Sequence, residues 1–193
     1  CSLAFFIGKR RVFASTSDLS DAGIKQALSA AIKIAEYTQE DLCSGLPEKK
    51  TLASLEDRAR DLSLYYLAGW DTEKLISLAQ SCEKIGMNLD PRIDNSDGAS
   101  ASYYLALSVL GNTNGFLESV PSSRYSFDCT LIAEEDGKMQ REGSYSSARD
   151  PQDLWSIEKV AKEASAQVIS RLGARRISTQ TTPVIYRYDA ARS

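Results

Sequence analysis

The chain has 193 residues, 42% apolar and 25% charged, with 23 basic against 26 acidic side chains and a formal charge of -3. That balance is that of one folded domain or a pair of small ones, and it excludes a disordered, fibrous or strongly basic nucleic-acid-binding chain. The sequence holds no histidine, which removes a Ser-His-Asp triad, a Cys-His pair and an HExxH-type zinc helix as sources of chemistry.

Residues 3–7 and 11–16 are short β-prone runs around Gly8-Lys9-Arg10 and predict a hairpin. Ser17, Asp18 and Ser20 then offer N-cap oxygens to a helix running to about Glu36, whose stripe of Ile24, Ala27, Leu28, Ala31, Ile34 and Ala35 is mostly alanine and suits close packing on that hairpin. Residues 37–70 have no clear period and read as a connection with one or two short elements. A second helix opens at Asp71 or Thr72, carries Leu75, Leu78, Ala79, Cys82 and Ile85 on one face, and ends at Gly86 and Asn88 before Pro91.

Three strands follow, at about 100–110, 115–132 with a break near Val120-Pro121, and 138–148; Asn95-Ser96-Asp97-Gly98 reads as a turn before them. The connecting turns are Gly111-Asn112-Thr113-Asn114-Gly115 and Glu134-Glu135-Asp136-Gly137-Lys138. A third helix is predicted straight after Asp150-Pro151, with Asp153 in its first turn, Leu154 to Leu172 at helical spacing and Gly173 as its stop. Residues 183–188 predict a last strand. The order implies an α+β fold, an antiparallel sheet with long β-hairpins packed against three main helices. We place residues 1–90 in an N-terminal α/β part and residues 91–193 in a second part made of the ribbon, a helix and a strand. Cys1 inside an apolar run and a helix opening at Ala190 give both ends the look of an internal piece of a longer protein.

The motifs are few. Cys1, Cys43, Cys82 and Cys129 are isolated thiols, as in a reducing cytosol, and no apolar run approaches the roughly 20 residues of a membrane helix. Ser81 with Lys84 and Ser156 with Lys159 form SxxK patterns, as in some serine hydrolases, but the companion KTG triplet is missing. Asn95 to Gly98 lacks the acidic ends of a calcium loop, and Glu134, Glu135 and Asp136 sit where a solvated hairpin tip is expected. No glycine-rich phosphate cradle is present.

Several blocks resemble the PmbA/TldD family. The run from Phe13 to Ser20, Ile34 to Asp41, Asp90-Pro91-Arg92-Ile93, Gly111 to Phe116, Ile132 to Gln140, Ala148-Arg149-Asp150 and Pro183-Val184-Ile185 occur in the order and spacing of its PmbA branch, also called TldE. The resemblance implies a cytoplasmic two-subunit peptidase that degrades unfolded peptides and matures peptide antibiotics. The zinc motif HExxxH belongs to the TldD subunit, and this chain, without histidine, departs from it. The implied role is therefore a non-catalytic subunit segment with no catalytic and no metal-binding residue of its own. Zinc would sit on a TldD-type partner in a heterodimer, with self-association as the other assembly. An unfolded peptide would be the substrate, with neither nucleic acid nor membrane in direct contact. The alternative is a regulatory or scaffolding module, after the family's older description as a modulator of DNA gyrase; a serine hydrolase on Ser81 and Lys84 is a third. For an interface or peptide contact the ribbon supplies Asn112, Asn114, Gly115, Arg124, Tyr125, Asp136 and Gly137, although turn chemistry alone accounts for its Asn and Gly residues.

Overall fold

The computed structural model describes residues 1–191, which divide into two units, Cys1–Leu62 with Leu107–Pro121, and Ser63–Ala106 with the chain from Ser122 onward. Both have helices and antiparallel strands, as the α+β reading requires. Neither has a helix long and apolar enough to cross a membrane among the described residues.

In the first unit β1 (Ser2–Ile7) pairs antiparallel with β2 (Arg10–Ser15), from Ser2 opposite Ser15 to Ile7 opposite Arg10. Gly8, with φ 61, closes the two-residue turn. Ser20 caps α1 (Asp21–Ala35) by accepting the Gly23 N–H, and the alanine stripe works as predicted: Ala31 and Ala35 bury against Val12, with Phe5 and Ala14 alongside. The connection holds a 3-10 turn, Lys49–Thr51, and one short helix, α2 (Leu55–Ala59), capped by Ser54 and Asp57 in a reciprocal capping box. This segment meets the distal end of the ribbon. Arg58 pairs with Glu118 at 3.0 Å and lies over the Phe116 ring at 5.0 Å, while the Asn114 side-chain amide donates to the Pro47 carbonyl at 2.8 Å.

The second unit contains α3 (Thr72–Met87), capped by Asp71 as expected, parts of β3 (Ile93–Gly111) and β4 (Leu117–Glu135), all of β5 (Lys138–Ala148), and α4 (Ile157–Ser170). The sheet order is β3-β4-β5. Alternation along β4 decides which face is buried: Tyr125, Phe127, Cys129, Leu131 and Ala133 point inward, and the last three are fully inaccessible. α3 and α4 cover that face with Cys82, Val160, Ala161, Ala164 and Val168. On the opposite face Ser100 donates to Asp128 at 2.5 Å, Ser102 meets Ser126 at 3.0 Å, and Arg141 pairs with Asp97.

Four readings need correction. β3 begins at Ile93, so the Asn95–Gly98 turn lies inside the strand. There the Ser96 hydroxyl accepts the Gly98 N–H and donates to the Thr130 carbonyl, which lets Gly98 take φ 109 without ending the pairing. β4 runs through Pro121 unbroken. The third helix starts six residues later than Asp150-Pro151 suggests: Asp150 caps only a 3-10 turn, Pro151–Asp153, and the chain stays extended at Leu154. The Trp155 N–H is taken by the Ser146 hydroxyl at 2.9 Å, and Ser156 then caps α4. Finally, residues 183–187 are not a strand: among the described residues no strand pairs with them, and Ile185 stands 95% exposed. A short helix, α5 (Tyr188–Ala191), follows; the remainder of the helix opening read at Ala190 lies outside the described residues.

Candidate functional site

The seven ribbon residues do not form one site. Asn112, Asn114 and Gly115 build the turn before β4: the Asn112 Oδ1 accepts the Asn114 and Phe116 N–H groups, and Gly115 adopts φ 89. Asp136 and Gly137, at φ 53 and 71, form the two-residue turn after it, closing the pair Glu135 and Lys138. Nineteen residues of β4 separate the two turns. Arg124 is exposed, whereas its neighbour Tyr125 is 1% exposed.

Tyr125 is committed inside the second unit. Its hydroxyl donates to the Tyr66 carbonyl at 2.9 Å and accepts the Ala68 N–H at 3.0 Å. Trp70 meets its ring edge-on at 5.0 Å, and Tyr103 stacks on it at 5.9 Å. Two residues earlier the buried Ser123 hydroxyl accepts the Tyr66 N–H and donates to the Arg149 carbonyl, and the Ser123 N–H donates to Leu64. Residues 64–68 are thus fastened to the middle of β4 through two hydroxyl side chains, which is why an apolar cluster without period is ordered there.

The titratable groups serve the fold. Arg92 clamps Asp90 at 2.8 Å and Glu135 at 3.2 Å, and the hydrogen bonds that Asp90 accepts from the Arg92 side chain and backbone N–H hold its carboxyl down at about 2. Cys82 and Cys129 face each other in the core. The bond between the two thiols, with burial, pushes Cys129 far up; the same bond lowers Cys82 while burial opposes its ionisation. Cys82 also reaches the Ile157 carbonyl at 3.6 Å. The Ser156-Lys159 pattern is taken up by the fold: Ser156 is a helix cap, and the Lys159 ammonium lies 3.8 Å over the Trp155 ring. Zinc does not fit the residues present. The chain supplies no imidazole, and among the described residues no three Cys, Asp or Glu side chains converge.

Sequence reasoning missed a concave feature of the second unit. A cleft of about 480 Å³ opens in the second unit between Trp70, Lys74 and Leu78 on one side and Pro151 to Glu158 on the other, with Phe127 also lining it. Both tryptophans of the chain line it. Their number and their position beside two helix starts were the available signal. The extended Leu154-Trp155 linker that brings the second ring into place depends on the Ser146 bond, which periodicity does not reveal.

A family model described as the PmbA/TldA metallopeptidase central domain matches residues 65–172. The chain is 38% identical over 189 residues to a metalloprotease PmbA homolog of Haemophilus influenzae, covering 98% of this chain and 41% of that protein. It is 36% identical over 182 residues to metalloprotease PmbA of Escherichia coli O157:H7, covering 94% and 40%. It therefore spans about two fifths of the length of these relatives. A crystal structure from Bacteroides thetaiotaomicron, named as a modulator of DNA gyrase, superposes with a TM-score of 0.77 at 20% identity, covering 91% of this chain and 40% of the other. TldE from Thermococcus kodakarensis superposes at 0.61 and 14% identity, covering 86% and 36%.

Proposed function

We propose a function from the premise that the chain belongs to the PmbA/TldD metallopeptidase family: it is the non-catalytic segment of a PmbA/TldE-type subunit in a cytoplasmic two-subunit peptidase acting on unfolded peptides and peptide-antibiotic precursors. A histidine-bearing TldD-type partner supplies the zinc. The observation that carries this reading is the donor chemistry: the chain has none of the imidazoles a catalytic zinc centre ordinarily uses, and the Asp90 and Glu135 carboxylates are both paired to Arg92. This segment then contributes a rigid sheet-and-helix body and a surface for the substrate chain, while the partner activates the hydrolytic water.

The test takes the full-length protein, alone and with a TldD-type partner, through metal analysis and cleavage of an unfolded peptide. Zinc and chelator-sensitive hydrolysis only when the partner is present are expected. Metal-dependent hydrolysis by the full-length protein alone overturns the reading. So does salt-sensitive DNA binding, or capture of a topoisomerase, with no association to a TldD-type protein.

A further inference from the structure

We propose that the cleft between α3 and the Pro151-to-Glu158 segment is a subsite for an aromatic or large apolar side chain standing next to a carboxylate in an extended peptide. The inference rests on the peptide-handling reading for its choice of ligand class; the geometry of the cleft stands by itself.

The walls are apolar and braced. Trp70 is held from behind by the Tyr125 ring, whose hydroxyl is tied to Tyr66 and Ala68. Trp155 is fixed through its backbone bond to Ser146 and by the Lys159 ammonium on its ring. Leu78, Phe127, Leu154 and Ile157 complete the lining. Rings held by contacts outside the cleft need little ordering when a ligand arrives, so the entropy lost on binding falls on the ligand alone. About 480 Å³ lies inside the range of small-ligand pockets, enough for one large side chain with adjoining backbone.

The charge at the mouth selects the neighbour. Lys159 is committed to Trp155, and the Glu158 carboxylate is engaged by the Ser156 hydroxyl, its own backbone N–H and the charge of Lys162. The exposed Lys74 ammonium has no hydrogen bond or ion pair among the described residues, and it lines the same cleft as the Gln152 side chain. A free cation beside an apolar slot complements a carboxylate placed next to an apolar group.

Calorimetry on the full-length protein, without partner and without turnover, tests this with three blocked tetrapeptides: one carrying phenylalanine followed by aspartate, one with alanine for the phenylalanine, and one with asparagine for the aspartate. The phenylalanine-aspartate peptide should bind at least tenfold more tightly than the alanine peptide and about threefold more tightly than the asparagine peptide. Leu78→Trp, which fills the cleft, should weaken it at least tenfold. Lys74→Met, at an exposed position, should abolish the preference for aspartate. Equal affinities for all three peptides, binding that Leu78→Trp and Lys74→Met leave untouched, or no binding at all overturns the proposal. Because no cleavage is measured, cleft-dependent binding without hydrolysis in the partner's presence would sink the peptidase reading alone. Hydrolysis with cleft-independent binding would sink this one alone.

Discussion

Gly86→Ala should change sign with the residue at position 131. Gly86 is buried on α3, and a Cβ there would lie 2.9 Å from Cδ1 and 3.2 Å from Cδ2 of Leu131, a fully buried side chain of β4. Replacing glycine by alanine inside a helix favours the helix by about 1 kcal/mol. Forcing a methyl group into a filled core costs about 1–3 kcal/mol. The net for Gly86→Ala alone is a loss of up to about 2 kcal/mol. Leu131→Ala alone should cost about 3 kcal/mol from lost transfer energy and the cavity left behind. In the double variant Cγ, Cδ1 and Cδ2, the three atoms nearest the new methyl, are all gone, so only the helix gain remains and the total should fall to about 2 kcal/mol. Urea unfolding followed by tryptophan fluorescence is the assay, because both tryptophans lie in the unit that contains this contact. Additivity within about 0.5 kcal/mol, or a stabilising Gly86→Ala in the parent, would refute the packing argument.

Ser123→Ala leaves the Tyr66 N–H without its hydroxyl acceptor and Tyr125→Phe does the same to Ala68; each should cost about 1–3 kcal/mol in the same unfolding assay. Asp136→Val places a β-branched side chain at φ 53 and should cost about 1–2 kcal/mol, whereas Asp136→Asn should be nearly neutral, and comparing the two urea midpoints checks the turn geometry. The Asp90 carboxyl should titrate at about 2 by NMR and rise toward the ordinary aspartate value in Arg92→Met. Since its folded value is depressed, its contribution to stability is complete above about pH 4 and is lost as pH falls from there toward 2. Asp90→Asn should remove that portion of the pH dependence.

Legibility followed the range of the interaction. Ser20 and Asp71 were readable as caps because the bond each makes is to a backbone N–H three residues on, and the alanine stripe of α1 identified its packing surface through spacing alone. β5 was read at its full length because Asp136-Gly137 specifies the turn before it. Where a distant partner decides, the reading failed: Ser146, nine residues from Trp155, postpones α4, and the Ser96 bond to Thr130 turns an apparent loop into strand. Residues 183–187 have strand composition and no strand, since composition cannot supply an edge. The ribbon residues were chosen for their turn chemistry, and turn chemistry is what Asn112, Gly115, Asp136 and Gly137 perform. Tyr125 shows the limit most plainly: an alternating strand gives each residue one of two faces, and only the helices packed above decide which one is inside.

The strand excursion from Leu107 to Pro121 gives this polypeptide three passages between its units where a simple string of two domains has one. No single proteolytic nick can release both units whole. A fragment ending at Leu62 would lack Phe116 and Glu118, the groups that Arg58 engages sixty positions along the chain. A ribosome must therefore deliver more than half of the sequence before its earliest third can finish folding. The order of synthesis and the order of completion run against each other, so residues 1–62 wait for that ribbon before their last contacts close.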